Sequence, residues 1–420
     1  MLPALQRRVV VCVGCGGVGK TTVAAAVALS AAREGRRALV LTIDPARRLA
    51  DALGVEALGN QPEPMPRDVL SALGVPAGGS LHAMMLDMKR TFDDLVERFA
   101  ENEQARERVL ANPIYRHVSD ALAGSVEYSA MEKVYELSQS DAFDTLVVDT
   151  PPSQHALDFL DAPERLLEFL DSRLVQLLIH PAMAAGRAGM RWFQWGSRRA
   201  LQLIERITGL GFLEDVSDFL LAFEHMSEGF RERARLVRSL MLGPEAAFVL
   251  VSSAESGSVK QAQRFLERLE AGDVRVAGLV ANRVRAWPGG GAPWSGAADD
   301  DDVAALTGAL AAREGAEFPA TRAAHAAVAA AARYAALVRR DAIALASLRE
   351  QAERRGSFFR VVPELAGDVH DLAGLSHVAA ALAQESQESD DSEDSGQGGG
   401  SMPGIEAADG AGAQRGATSA

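Results

Sequence analysis

Cysteine is nearly absent from this 420-residue chain: Cys12 and Cys15 are the only two. That excludes a disulfide framework and leads us to expect a reducing, cytoplasmic setting. Long hydrophobic runs are absent too. No uncharged apolar stretch reaches the roughly 18 residues of a membrane-spanning helix. The short apolar stretch before Val13 runs into a glycine-rich loop and has no small-residue cleavage site, so it does not read as a signal peptide. Lysine is scarce, four residues against 39 arginines, which we read as codon bias. A basic surface is also missing. The net charge is −14, which argues against nucleic-acid binding. Much of that charge is local: residues 385–420 hold eight acids against Arg415 alone.

What is present is a core former. Hydrophobic residues make up 48% of the chain. Short β-branched runs alternate with longer helical patterns, which predicts an α/β fold with a doubly wound, mostly parallel sheet. Candidate strands are Arg8–Val13, Ala38–Ile43, Leu81–Leu86, Thr145–Asp149, Ala247–Ser252, Val274–Ala281 and Phe358–Val362. Their apolar runs suit strands buried on both faces. Two stretches, about 88–139 and 162–242, break the rhythm with helical periodicity and read as inserted helical regions. Residues 286–302 are rich in Gly, Pro and Asp and read as a loop. An Ala-rich helix is expected from about 320 to 355. The expected organisation is one domain over 1–383 and a disordered, low-complexity acidic tail over 384–420.

The clearest motif is Gly14-Cys15-Gly16-Gly17-Val18-Gly19-Lys20-Thr21, followed by Thr22. It matches G-x-x-x-x-G-K-[ST] between an apolar strand and a helical pattern. Backbone N–H groups of such a loop wrap phosphates. Lys20 supplies charge to the β- and γ-phosphates, Thr21 a hydroxyl to Mg2+, and the helix N-terminus its dipole. The expected ligands are ATP and Mg2+.

Two carboxylates follow at strand ends, where open α/β sheets place their ligands. Asp44 precedes Pro45 and is a candidate to position or deprotonate the attacking water; an Asp before Pro also suits a turn or a helix N-cap. Asp149 ends TLVVD, the arrangement that holds Mg2+ directly or through water. His155 follows, and a lone loop histidine is more often a hydrogen-bonding residue.

Together, GCGGVGKTT, LTIDPARRLADALG, VVDTPPSQHALDFL and VANRV resemble the arsenite-pump and tail-anchored-protein-targeting ATPases, a deviant P-loop family. The resemblance runs from about residue 7 to 382 and looks closest to the paired anion-transporter ATPases of actinobacteria. It implies catalytic roles for Lys20 and Asp44, and Mg2+ association for Thr21, Asp44 and Asp149. It also implies adenine recognition by Asn282 and a base-lining segment at Pro363, both positions that suit plain turn chemistry as well.

One departure matters. The family carries a second lysine where this chain has Cys15, and that lysine reaches across a dimer to the partner's nucleotide. A thiol supplies no fixed positive charge. Three readings follow: pairing with a paralogous ATPase subunit that keeps the lysine, substitution by Arg47 or Arg48, or slow hydrolysis in a nucleotide-gated binder. Cys12 reads as a small core residue. Cys15, at a helix N-terminus that favours thiolate, is an oxidation candidate. The downstream zinc and arsenite cysteines of the family are absent. Met183, Met190, Trp192, Trp195, Met226 and Met241 form an apolar stripe in the second helical region. It reads either as core or as a surface for hydrophobic clients. The functional expectation is an ATPase whose nucleotide state drives dimer closure and serves a membrane or transport partner. The alternatives are a chaperone-like binder of hydrophobic segments and a ParA- or MinD-like positioning switch.

Overall fold

The apolar strand at Val9–Val13 buries both of its faces, and this sets the layering. Val10 and Cys12 point into one core cluster and Val9, Val11 and Val13 into another. Side chains of a strand alternate between faces, so a fully apolar run needs cover on both sides. The computed structural model describes residues 3–44, 46–100, 102–112, 125–151, 231–272, 274–289, 300–315 and 317–384, with 168, 228, 229, 291 and 293.

Among these residues one sheet is formed by β1 (Val9–Gly14), β2 (Arg37–Thr42), β3 (Glu63–Pro64), β4 (Ser80–Met85), β5 (Thr145–Asp149), β6 (Ala246–Ser253), β7 (Val276–Val284) and β8 (Phe358–Pro363). The order is β3-β4-β2-β5-β1-β6-β7-β8. All neighbours run parallel except β3 and β4. The expected α/β class and mostly parallel sheet are therefore present. The antiparallel β3 was not foreseen; two residues containing a proline carry no period-2 pattern, and they pair only at the sheet edge, where proline is tolerated.

Helix α1 (Lys20–Arg33) and the last described helix, Leu372–Ala383, cover one face, with Val23, Val27, Leu375 and Val378 in the first cluster. The other face is covered by Ser125–Ser138, residues 231–242 and Ser256–Ala271, through Met131, Val134, Val237, Met241 and Leu266. Met241 is 2% exposed, so this member of the apolar stripe is core. The others lie outside the described residues, as do His155 and the tail from 385.

Two units divide the chain: Met1–Ala286 with Val338–Ser386, and Trp287–Leu337 with Gln387–Ala420. The first contains the whole sheet. In the second, the acidic run read as loop opens a helix, Asp300–Glu314. Three aspartates in its first turn suit the positive end of the helix dipole, which is why they start a helix rather than a coil. The Ala-rich helix spans Ala320–Arg354, as expected. No described helix is long and apolar enough to cross a membrane.

Candidate functional site

Parallel strands deliver their C-terminal ends to one edge of the sheet. Register pairs Cys12 with Asp149 and Thr42 with Asp149, so the ends of β1, β2 and β5 lie side by side. From there β1 passes through the glycine loop into α1.

The loop's glycines answer to backbone geometry. Gly19 sits at φ 86°, and a Cβ there would stand 2.2 Å from the amide nitrogen of Asn282. Gly14 would place a Cβ 2.2 Å from the carbonyl oxygen of Val251. Gly19 is also the N-cap of α1, where no side chain caps the helix and no acid occupies the first turn. An uncapped helix N-terminus at the end of such a loop is built for an anion.

Lys20 is 6% exposed and donates from Nζ to the carbonyl oxygen of Cys15 at 2.9 Å. Burial lowers its pKa, opposed chiefly by the charge of Asp149. Asp149 is 1% exposed. Its Oδ2 accepts from the hydroxyls of Thr21 at 2.8 Å and Thr42 at 2.9 Å. Its Oδ1 is buried with no hydrogen-bond partner. Burial pushes the Asp149 carboxyl up to about 6, against the two hydroxyl bonds and Lys20. An orphaned, desolvated carboxylate oxygen beside a threonine hydroxyl is a fitting donor set for Mg2+, which takes oxygen ligands from one or two carboxylates and substrate phosphates. Among the described residues no cluster of three or more His, Cys, Asp or Glu could hold a metal ion.

Asp44 leaves the end of β2. Its Oδ1 accepts from the Ala46 N–H at 3.0 Å, a turn contact, and its Oδ2 accepts from Arg48 at 3.1 Å. Its own N–H donates to the Thr42 hydroxyl at 3.2 Å. Thr42 thus joins Asp44 to Asp149. Sequence reasoning missed it, because a threonine ending an apolar strand is ordinary; its only signal is a position two residues before Asp44.

A cavity of about 430 Å3 opens over these groups, lined by Gly17, Lys20, Thr21, Asp44, Arg48 and Arg283 among others. That volume lies within the usual range for small-molecule sites, roughly 300–1,000 Å3. A neighbouring cavity of about 190 Å3 is lined by Thr22, Asn282, Arg283, Pro363 and Glu364. Asn282 and Pro363 therefore line one cavity, beside the phosphate loop. The two arginines offered as lysine substitutes part company here. Arg48 lines the larger cavity, whereas Arg47 donates to the carbonyl of Glu56 and borders a separate apolar pocket.

Both cysteines are free. Burial pushes both thiols up, Cys12 strongly and Cys15 with Lys20 opposing. The expected thiolate character of Cys15 is thus corrected. Desolvation outweighs the nearby positive charge, so the thiol stays protonated at neutral pH.

Comparison with known proteins bears on this geometry. The sequence profile of the anion-transporting ATPase family matches residues 7–286. A putative arsenical pump-driving ATPase of Halobacterium salinarum is 30% identical over 176 residues, 41% of this chain and 26% of that protein. An uncharacterized protein of Streptomyces coelicolor is 34% identical over 182 residues, 43% of this chain and 42% of its own length. The ATPase get3 of Schizosaccharomyces japonicus is 25% identical over 273 residues, 64% of this chain and 72% of that protein. The chain thus spans less than half the length of the first two relatives.

Proposed function

The chain belongs to the anion-transporting ATPase family, and on that premise we propose that it binds ATP with Mg2+ and hydrolyses it. The observation that carries this reading is the convergence on one cavity of Lys20, Thr21 and Asp44, with the buried Asp149 accepting from the hydroxyls of Thr21 and Thr42 beside it. In this reading Gly14, Cys15, Gly16, Gly17, Val18, Gly19 and Thr22 wrap the phosphates with Lys20 and Thr21. Thr21 and Asp149 hold Mg2+, with Asp44 near it. Mg2+ would neutralise charge on the transferring phosphoryl group. Asp44, held by Arg48 and the Ala46 N–H, orients the attacking water. Asn282 and Pro363 contact the adenine.

Nucleotide state is coupled to closure of a dimer, and the partner is a paralogous subunit with lysine at the position of Cys15. Cys15 supports this: its protonated, half-buried thiol offers no charge to a neighbouring nucleotide. The name of the haloarchaeal relative favours a membrane pump or transport complex as the recipient of the work. Two free cysteines suit the cytoplasm.

Phosphate release from Mg·ATP by the purified chain, alone and mixed with a Cys15→Lys copy, tests the proposal. Slow turnover alone, raised at least about 10-fold by the lysine-bearing copy, is expected, since a charge supplied in trans is worth on the order of 10^3 or more. Fast turnover of the chain alone, indifferent to the added copy, sinks the pairing. Absence of ATP binding and hydrolysis in every mixture sinks the ATPase reading.

A further inference from the structure

Arg283 is the one non-glycine residue at positive φ among the described residues, with φ 56°. The left-handed region is sterically unfavourable for a residue with a Cβ, and such residues persist where the surroundings impose them. The imposing feature is a break in the sheet. β7 and β8 pair through Ala281–Val361, lose register, and pair again at Val284–Pro363. Asn282 and Arg283 form the bulge between. Bulges re-aim side chains next to functional sites. This one turns Asn282 inward, where its Nδ2 donates to the Val18 carbonyl at 2.9 Å. It also brings the Arg283 guanidinium to 3.5 Å from the Gly17 carbonyl.

That guanidinium forms no ion pair among the described residues, although arginine is abundant and is paired elsewhere near the site, as Arg48 is to Asp44 and Arg285 to Asp341. Its place is specific. Thr22, Arg283, Asp368 and Val369 line both the phosphate cavity and the Asn282 cavity, and Arg283 is the single cation of the four. The remaining polar side chains at that junction are a neutral hydroxyl and a carboxylate.

A nucleotide with its β- and γ-phosphates at Lys20 and its base at Asn282 and Pro363 must carry its ribose and α-phosphate across the junction of the two cavities. Resting on the ATP-binding reading above, we propose that Arg283 is a nucleotide-binding residue that grips the α-phosphate, with the strained bulge as the device that aims it. An α-phosphate is common to ATP and ADP, so the contact binds both alike. It is a hold on the nucleotide through the whole cycle, distinct from a charge that meets the γ-phosphate.

Arg283→Gly separates this from a purely structural role, because glycine adopts φ 56° without a steric cost. Calorimetric titration of the full chain with Mg·ADP and a non-hydrolysable Mg·ATP analogue, and melting without nucleotide, give the readouts. Both affinities are expected to fall by roughly 10-fold or more, in equal proportion, with the nucleotide-free melting point not lowered. ADP affinity within twofold of the wild type overturns the inference. So does a loss confined to the ATP analogue, which places the group at the γ-phosphate. A wild-type chain that binds neither nucleotide overturns the proposed function itself, and is read before any variant.

Discussion

The side-chain amide of Asn282 donates to the backbone carbonyl of Val18 at 2.9 Å, tying the end of β7 to the phosphate loop across 264 residues of chain. Asn282 is 5% exposed, so the bond is made where water does not compete for it. One donor hydrogen of the amide is committed to the loop. The other and the carbonyl oxygen remain for the neighbouring cavity. The residue that resembles an adenine reader is therefore also a brace of the glycine-rich loop.

Gly19→Ala puts this brace under test. The new methyl would lie 2.2 Å from the Asn282 nitrogen on a backbone at φ 86°. Both the clash and the left-handed conformation oppose it, at about 1–3 kcal/mol together. Thermal melting is expected to fall by several degrees and nucleotide binding by at least an order of magnitude. An unchanged melting point with normal ATP affinity contradicts the contact.

Asp149 makes stability depend on pH in the Mg2+-free, nucleotide-free chain. Its folded carboxyl is raised from 3.8 to about 6. A raised folded value means that the native state binds the proton more tightly than the unfolded one. Its contribution is therefore full below about pH 4 and lost as pH rises through 6. Two units correspond to about 3 kcal/mol. Asp149→Asn removes the buried charge, so the variant is expected to melt higher than wild type at pH 8, with the gap closing toward pH 4. The same variant should lose Mg2+-dependent turnover. Melting curves that show no such convergence would place the carboxylate outside this account.

Glu132 is a buried ion that is costly to leave without its nearest partner. It is 1% exposed, accepts from Arg233 at 2.6 Å and lies 3.5 Å from Arg98. Burial raises its pKa, and Arg233 is the main opposing influence. Arg233 also stacks over Tyr135 at 4.2 Å. Arg233→Ala should cost about 3 kcal/mol at pH 8, because a buried carboxylate loses its nearest partner. Adding Glu132→Gln should recover most of that loss. Chemical denaturation of the single and double variants decides it: equal losses in both would show that the packing of Arg233, not its charge, carries the effect.

Much of the fold was legible from local pattern. Apolar runs of five or six residues marked six strands to within about two residues at each end; at β7 the expected strand, Val274–Ala281, began two residues early and stopped three short of Val284. That error has a physical cause. Asn282 suits a turn and Arg283 ends the apolar run, yet the strand continues through both as a bulge set by its neighbours.

By itself the sequence determined the strand–loop–helix of Gly14–Thr22, the strand-end aspartates and the mostly parallel sheet, because each follows from local pattern along the chain: glycines for a tight loop, unbroken apolar runs for strands buried on both faces, acids where strands stop. Tertiary structure alone decided that Thr42 bridges Asp44 to Asp149, that Arg48 and not Arg47 meets the cavity, that the Cys15 thiol stays protonated, and that Arg283 is turned toward the phosphate loop. The reason is common to all four. Each depends on distance and dielectric between segments far apart in sequence, and burial beside a particular neighbour is a property that no local pattern encodes.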